Sequence, residues 1–124
     1  MAAIDWALVE EGLAKINERL GVRFDYPRMA ELIDSGKLIY FKHPTTDWFV
    51  LIEPSYPYSG GAFLNVVAGY SREHNRAARE DIVELILAYA RENGFDGMTF
   101  SSTRPGWARA FPEAGKQTMY ELRV

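Results

Sequence analysis

The sequence predicts an α/β fold: a mixed, mostly antiparallel sheet with a central parallel strand pair and flanking helices. Three observations lead there. Two helical stripes open the chain, and the hydrophobic period shifts to that of strands near Lys37. An apolar strand, a long amphipathic helix and a second strand then follow one another between Ala62 and Thr103. A strand–helix–strand run of this kind returns by a right-handed crossover, so its two strands pair in parallel.

The first helix rests on Trp6, Val9, Leu13, Ile16 and Leu20, which recur at three- and four-residue spacing and form one apolar stripe. Asp5 is placed to cap its start, and Gly21 follows the last apolar position. A shorter helix begins near Asp25-Tyr26-Pro27, buries Met29, Leu32 and Ile33, and ends at Gly36. Lys37–His43 and Trp48–Pro54 are rich in aromatic and branched residues and flank the turn Pro44-Thr-Thr-Asp47, which predicts a β-hairpin. Ser55–Gly61 reads as a loop, and Ala62–Tyr70 as a central strand covered on both faces.

The main helix spans about Arg76–Asn93. Ala78, Ile82, Ile86 and Tyr89 form one row, Val83, Leu87 and Ala90 widen it, Asn75 caps it and Gly94 closes it. Gly97–Thr103 is the second strand of the parallel pair. Arg104–Phe111 opens a short helix or turn. Gln117–Val124 alternates Thr118, Tyr120, Leu122 and Val124 against Met119, Glu121 and Arg123, a half-exposed last strand.

At 124 residues the chain is the size of a single domain, 1–124. Seventeen aromatics supply a well-filled core. Cysteine is absent, which excludes thiolate nucleophiles and cysteine metal sites and fits a reducing compartment. No basic region followed by an apolar run opens the chain, and no stretch is apolar enough for a bilayer, so a cytoplasmic setting is expected. A net charge of −3 argues against non-specific nucleic-acid binding.

Against that acidity, Gly69–Arg79 places Arg72, Arg76 and Arg79 within eight residues, between a strand and a helix start. Free backbone N–H groups and the helix dipole converge there, and arginines add charge and paired donors, so the turn is a candidate phosphate site. The plainer alternative is a solvated helix start whose arginines pair with Glu73, Glu80 and Asp81.

The element order, with an arginine turn between the third strand and the main helix, resembles the GNAT (GCN5-related N-acetyltransferase) fold. More narrowly, the chain looks like the small GNAT-like proteins encoded by tailed bacteriophages. The likeness rests on the Trp6 helix, Asp34-Ser-Gly36 before a strand, Ala90-Arg-Glu-Asn-Gly94, and Arg104-Pro-Gly-Trp-Ala-Arg109 followed by Gly115. The family's coenzyme turn reads Gln/Arg-x-x-Gly-x-Gly/Ala. Arg72, Asn75 and Ala77 match it here, with Asn75 in place of the first glycine and Arg76 in a variable slot.

The resemblance implies that Tyr70, Ser71, Arg72, Asn75, Arg76 and Ala77 hold the pyrophosphate of acetyl-CoA. Many members use a tyrosine in the helix after the second parallel strand as the acid, and Trp107–Phe111 holds none. Tyr120 on the last strand is the substitute acid, and Glu53 at the end of the second hairpin strand is the candidate base.

Each of these residues has a plainer role. Glu53 reads as a strand-end surface carboxylate, Tyr120 as a packed strand tyrosine, and His43 and His74 as exposed turn residues. Trp107 plugs a core edge, or with Arg104 and Arg109 meets a ligand or partner. Tyr56 and Tyr58 in a Gly/Ser loop either pack down or form a contact surface. Two functions therefore stand side by side. One is a GNAT-like acyl-CoA-binding N-acyltransferase with a degenerate coenzyme loop. The other is a catalytically lapsed phage protein that binds a host enzyme or a virion protein. The sequence does not fix the oligomeric state; base rates alone admit a dimer.

Overall fold

The computed structural model describes residues 4–20, 23–72, 76–101 and 119–123. Its elements are α1 (Trp6–Leu20), α2 (Tyr26–Asp34), β1 (Ile39–Lys42), β2 (Trp48–Ser55), β3 (Phe63–Ser71), α3 (Arg76–Glu92), β4 (Gly97–Ser101) and β5 (Met119–Arg123). The five strands form one mixed, mostly antiparallel sheet in the order β1-β2-β3-β4-β5. β1 and β2 are antiparallel, β3 and β4 parallel, and β4 and β5 antiparallel. The expected turn or short helix at 104–111 lies outside the described residues, as does Gly21.

The helix ends follow their capping residues. The Leu8 N–H donates to Asp5 Oδ1 at 3.1 Å, and the Arg28 N–H donates to Asp25 Oδ2 at 3.2 Å. Each such cap stabilises a helix by about 1 kcal/mol. Gly36 and Gly94 take positive φ (79° and 78°), the left-handed step that ends α2 and α3. After α3 the Phe95 N–H reaches back to the Ala90 carbonyl at 2.8 Å, closing the last turn.

The chain clusters into two compact units, Met1–Glu53 with Val67–Ile82, and Pro54–Val66 with Val83–Val124. In the first, α1 buries Leu8, Val9 and Leu13, and α2 buries Met29 and Ile33, against Phe49 and Leu51 of β2 and Ala68 of β3. Burying each large aliphatic or aromatic side chain contributes about 1.5–3 kcal/mol. Val50 and Ile52 are buried as well, so β2 is covered on both faces. Asn17 locks the α1–α2 connection: its amide donates to the Phe24 carbonyl at 2.9 Å and its oxygen accepts the Phe24 N–H at 2.7 Å.

Gly12 explains how α1 lies so close to the sheet. A Cβ at that position would sit 2.6 Å from the Phe49 ring and 2.8 Å from Tyr70 Cβ. The second unit buries Phe63, Leu64, Val83, Ile86, Ala90, Met98, Phe100 and Leu122. There a Cβ on Gly97 would run into the Leu122 carbonyl oxygen, so glycine sets the approach of β4 to β5. The parallel ladder comprises three pairs among the described residues, Phe63↔Gly97, Leu64↔Met98 and Asn65↔Thr99. β3 continues six residues past it, to Ser71.

Candidate functional site

The close crossing at Gly12 brings the preceding residue, Glu11, to the end of β3. Arg72 donates to it twice, Nε to Oε2 at 2.8 Å and Nη2 to Oε1 at 2.9 Å. The Tyr70 hydroxyl donates to the same Oε2 at 2.9 Å. Arg72 Nη1 donates to Asp47 Oδ2 at 3.1 Å, and the Arg72 backbone N–H donates to the Asp47 carbonyl at 3.2 Å. Lys42 Nζ stands 4.0 Å from the other Asp47 oxygen and donates to the Thr46 carbonyl at 3.1 Å.

Two carboxylates and two cations thus meet at the base of the β3–α3 turn, and their charges cancel. Fork-to-fork pairing fixes the plane of the guanidinium as well as its position. The Arg72 hydrogen bonds, followed by the Tyr70 hydroxyl, hold the Glu11 carboxyl below the ordinary carboxylate range. Partial burial, followed by the bond to Glu11, pushes the Tyr70 hydroxyl up. Glu11 and then Asp47 push Arg72 further above its already high value. Beneath the cluster Phe49 stacks on Tyr40, with ring centroids 6.1 Å apart, and meets Tyr70 at 6.4 Å.

No protein-family model matches the sequence, and no curated protein matches it. The structure is similar to a crystal structure of a probable acetyltransferase, with a TM-score of 0.69 at 14% identity, over 90% of this chain and 84% of that one. The fold is acetyltransferase-like.

Within this acetyltransferase-like fold the expected site residues that are described fall in four places. Tyr70 and Ser71 end β3 and Arg72 follows, with Tyr70 and Arg72 joined through Glu11. Arg76 and Ala77 open α3. Asn75 and His74 lie outside the described residues. Glu53 is exposed near the end of β2, and Tyr120 stands opposite Phe100 in the β4–β5 ladder. Of the acidic partners expected for the arginines, Glu73 lies outside the described residues. Arg72 pairs with two carboxylates from other elements instead, Glu11 and Asp47.

His43 departs from expectation. It is buried, and its Nδ1 accepts the Thr45 N–H at 3.2 Å, which places the proton of the neutral ring on Nε2, 3.1 Å from Asp81 Oδ2. Tyr56 and Tyr58, by contrast, are exposed. Sequence reasoning missed Glu11 and Asp47. A glycine inside a helical pattern is the one signal that pointed to α1 pressing its neighbour against another element.

Proposed function

We propose that the chain is a GNAT-like acyl-CoA-binding protein acting as an N-acyltransferase. The observation that supports it is the run of β3 through an arginine-bearing turn into the 17-residue helix α3, within an acetyltransferase-like fold. The group suits this region because a helix start after a strand aims backbone N–H groups at a phosphate.

Acetyl-CoA supplies the acyl group as a thioester: an amine nitrogen bonds to the carbonyl carbon, the C–S bond breaks, and the thiolate takes up a proton. In this assignment the turn from Ser71 to Ala77 receives the pyrophosphate, with Arg76 as a cation in the first turn of α3. Arg72 gives one N–H each from Nε, Nη1 and Nη2 to two carboxylates, and a guanidinium carries further N–H donors, so a phosphate meets it through those or by displacing the single bond to Asp47. Glu11 and Tyr70 keep the guanidinium and the end of β3 in place. Glu53 is the base that takes the amine proton, directly or through water, and Tyr120 is the acid. A cytoplasmic setting suits this chemistry. Among the described residues no helix is long and apolar enough to cross a membrane.

A second reading, the lapsed enzyme that binds a host or virion protein, is favoured by the charge cancellation at Arg72 and by the exposed Tyr56 and Tyr58. Calorimetric titration with acetyl-CoA separates the two. Micromolar binding that weakens at least tenfold in Arg76→Ala, and further when Arg72→Ala is added, supports the acyltransferase. No heat and no ligand-induced rise in melting temperature would leave the partner-binding reading.

A further inference from the structure

Among the described residues His43 is the one polar or charged residue that the fold buries, and the chemistry assigned above leaves it unused. Burying an imidazole costs stability unless its nitrogens are bonded. Here both are. Nδ1 accepts the Thr45 N–H at 3.2 Å, and Nε2 donates to Asp81 Oδ2 at 3.1 Å. Those two bonds alone would make the ring a plug for the β1–β2 turn.

A third contact goes beyond that role. The Thr45 hydroxyl stands 3.4 Å from the same Nδ1. Because Nδ1 accepts from a backbone N–H, it carries a lone pair in the neutral ring, so the nitrogen facing the hydroxyl is the basic one. Asp81 on the far nitrogen fixes that tautomer and stands where an imidazolium needs a counter-charge. A hydroxyl, an imidazole and a carboxylate in that order are the parts of an activated nucleophile. A separation of 3.4 Å is long for a hydrogen bond, and such contacts are often loose before a substrate closes them. Thr45 is exposed and the ring is buried, so an acyl donor reaches the hydroxyl while the base is shielded from bulk water. All three residues belong to the first compact unit.

We propose that Thr45 is an acyl-accepting nucleophile with His43 as its base and Asp81 as the positioning residue, and that its substrates are activated acyl esters, thioesters or aryl esters. The Thr45 oxygen bonds to the carbonyl carbon while its proton passes to His43 Nδ1, and the Thr45 N–H yields the lone pair. The bond from the carbonyl carbon to the leaving sulfur or oxygen breaks, and the leaving group departs with the electron pair. His43 then passes the proton to the leaving group or to water. The product is an O-acyl threonine. Nothing in this step requires coenzyme A, since a small activated ester supplies the acyl group.

Incubation of the intact protein with para-nitrophenyl acetate, followed by mass spectrometry of its peptides, tests this. Thr45 should gain the mass of one acetyl group as para-nitrophenolate is released in a burst. Thr45→Val keeps the shape, lacks the hydroxyl and should lose the burst, whereas Thr45→Ser should keep it. Asp81→Asn retains an oxygen but loses the charge, and it should slow acetylation of Thr45 by about tenfold or more, on the scale that positioned acid–base groups contribute. Asp81→Glu should recover part of the rate. His43→Gln should abolish the reaction. Far-UV circular dichroism and melting establish that each variant is folded. If His43→Gln is not, Asp81→Asn carries the test, because that side chain is exposed.

Acetyl groups on lysines with none on Thr45 would overturn the proposal. So would a Thr45 adduct that forms as fast in the folded Asp81→Asn variant as in the wild type, since the hydroxyl would then react without the relay. Neither result bears on the acetyl-CoA titration.

Discussion

Glu11 and Arg72 stand 61 residues apart in sequence and meet through two near-parallel hydrogen bonds of 2.8 and 2.9 Å. One end of the pair sits on α1 and the other just past β3, so the contact ties the first helix to the segment that leads into the candidate phosphate turn. Tyr70 shares the same carboxylate and Asp47 shares the same guanidinium. The four side chains act as one bracket, and their ionisation is coupled to the fold.

That coupling has a sign. The Glu11 carboxyl is held below its ordinary value by Arg72 and Tyr70. Its contribution is therefore present above the unfolded glutamate value of about 4.3 and is lost as pH falls through the lower folded value. Tyr70 is shifted up by burial and by Glu11. Its contribution holds below the unfolded value of about 10 and is lost as pH rises through the higher folded one. Urea unfolding across pH should show a decline at both ends. Glu11→Gln should flatten the acid limb and Tyr70→Phe the alkaline one. Unchanged limbs in both variants would show that the bracket does not persist in solution.

Gly12 tests how closely α1 is packed. On an exposed helix, glycine to alanine would gain about 1 kcal/mol. Here the new methyl meets the fully buried Phe49 ring, which is itself held between Tyr40 and Tyr70. Overpacking of this kind costs about 1–3 kcal/mol. Gly12→Ala should therefore lower the urea midpoint at unchanged slope. A rise in the midpoint would mean that α1 rides further from the sheet than the structure shows.

Thr46 predicts a gain. Its side-chain hydroxyl is buried and has no hydrogen-bond partner among the described residues. Such a group costs about 1–3 kcal/mol, and valine has the same shape without the oxygen. Thr46→Val should raise stability by about 1 kcal/mol, read as a higher melting temperature. A drop would reveal a partner for the hydroxyl.

Much of the fold was legible before any coordinates. The stripe of Trp6, Val9 and Leu13, the cap Asp5, the helix start near Asp25-Tyr26-Pro27, and the closing Gly36 and Gly94 are local signals, and each element they mark formed within a residue or two of expectation. The parallel pairing of β3 with β4 followed from chain handedness and a helical crossover. The candidate site was less legible because its contacts are long-range. Arg72 and Tyr70 are visible as a polar end to an apolar strand, but nothing local to them points to Glu11 or Asp47. His43 was misread for the same reason, since the ring is buried and bonded to Asp81, 38 residues away. A hydrogen bond from Thr99 to Asn65 joins positions 34 apart and depends on strand register, which a single strand's pattern does not specify.

Asp47 offers a direct handle on the coenzyme proposal. It sits between Lys42 and Arg72 and cancels charge where the proposed ligand brings several negative charges of its own. Asp47→Asn removes one negative charge, keeps an oxygen that accepts from Arg72, and leaves the backbone bond from Arg72 to the Asp47 carbonyl intact. If phosphates bind at the β3–α3 turn, the variant should bind coenzyme A roughly 2- to 5-fold more tightly at low salt, because exposed charges interact across about 10 Å under those conditions. The gain should shrink as salt rises toward 0.5 M, where screening shortens that range. Glu11→Gln should not show the same gain, because loss of the paired fork loosens the bracket that holds the turn. Calorimetric titration of the three proteins at two salt concentrations reads all of this. Equal affinity and equal salt dependence in wild type and Asp47→Asn would place any bound phosphates away from this turn.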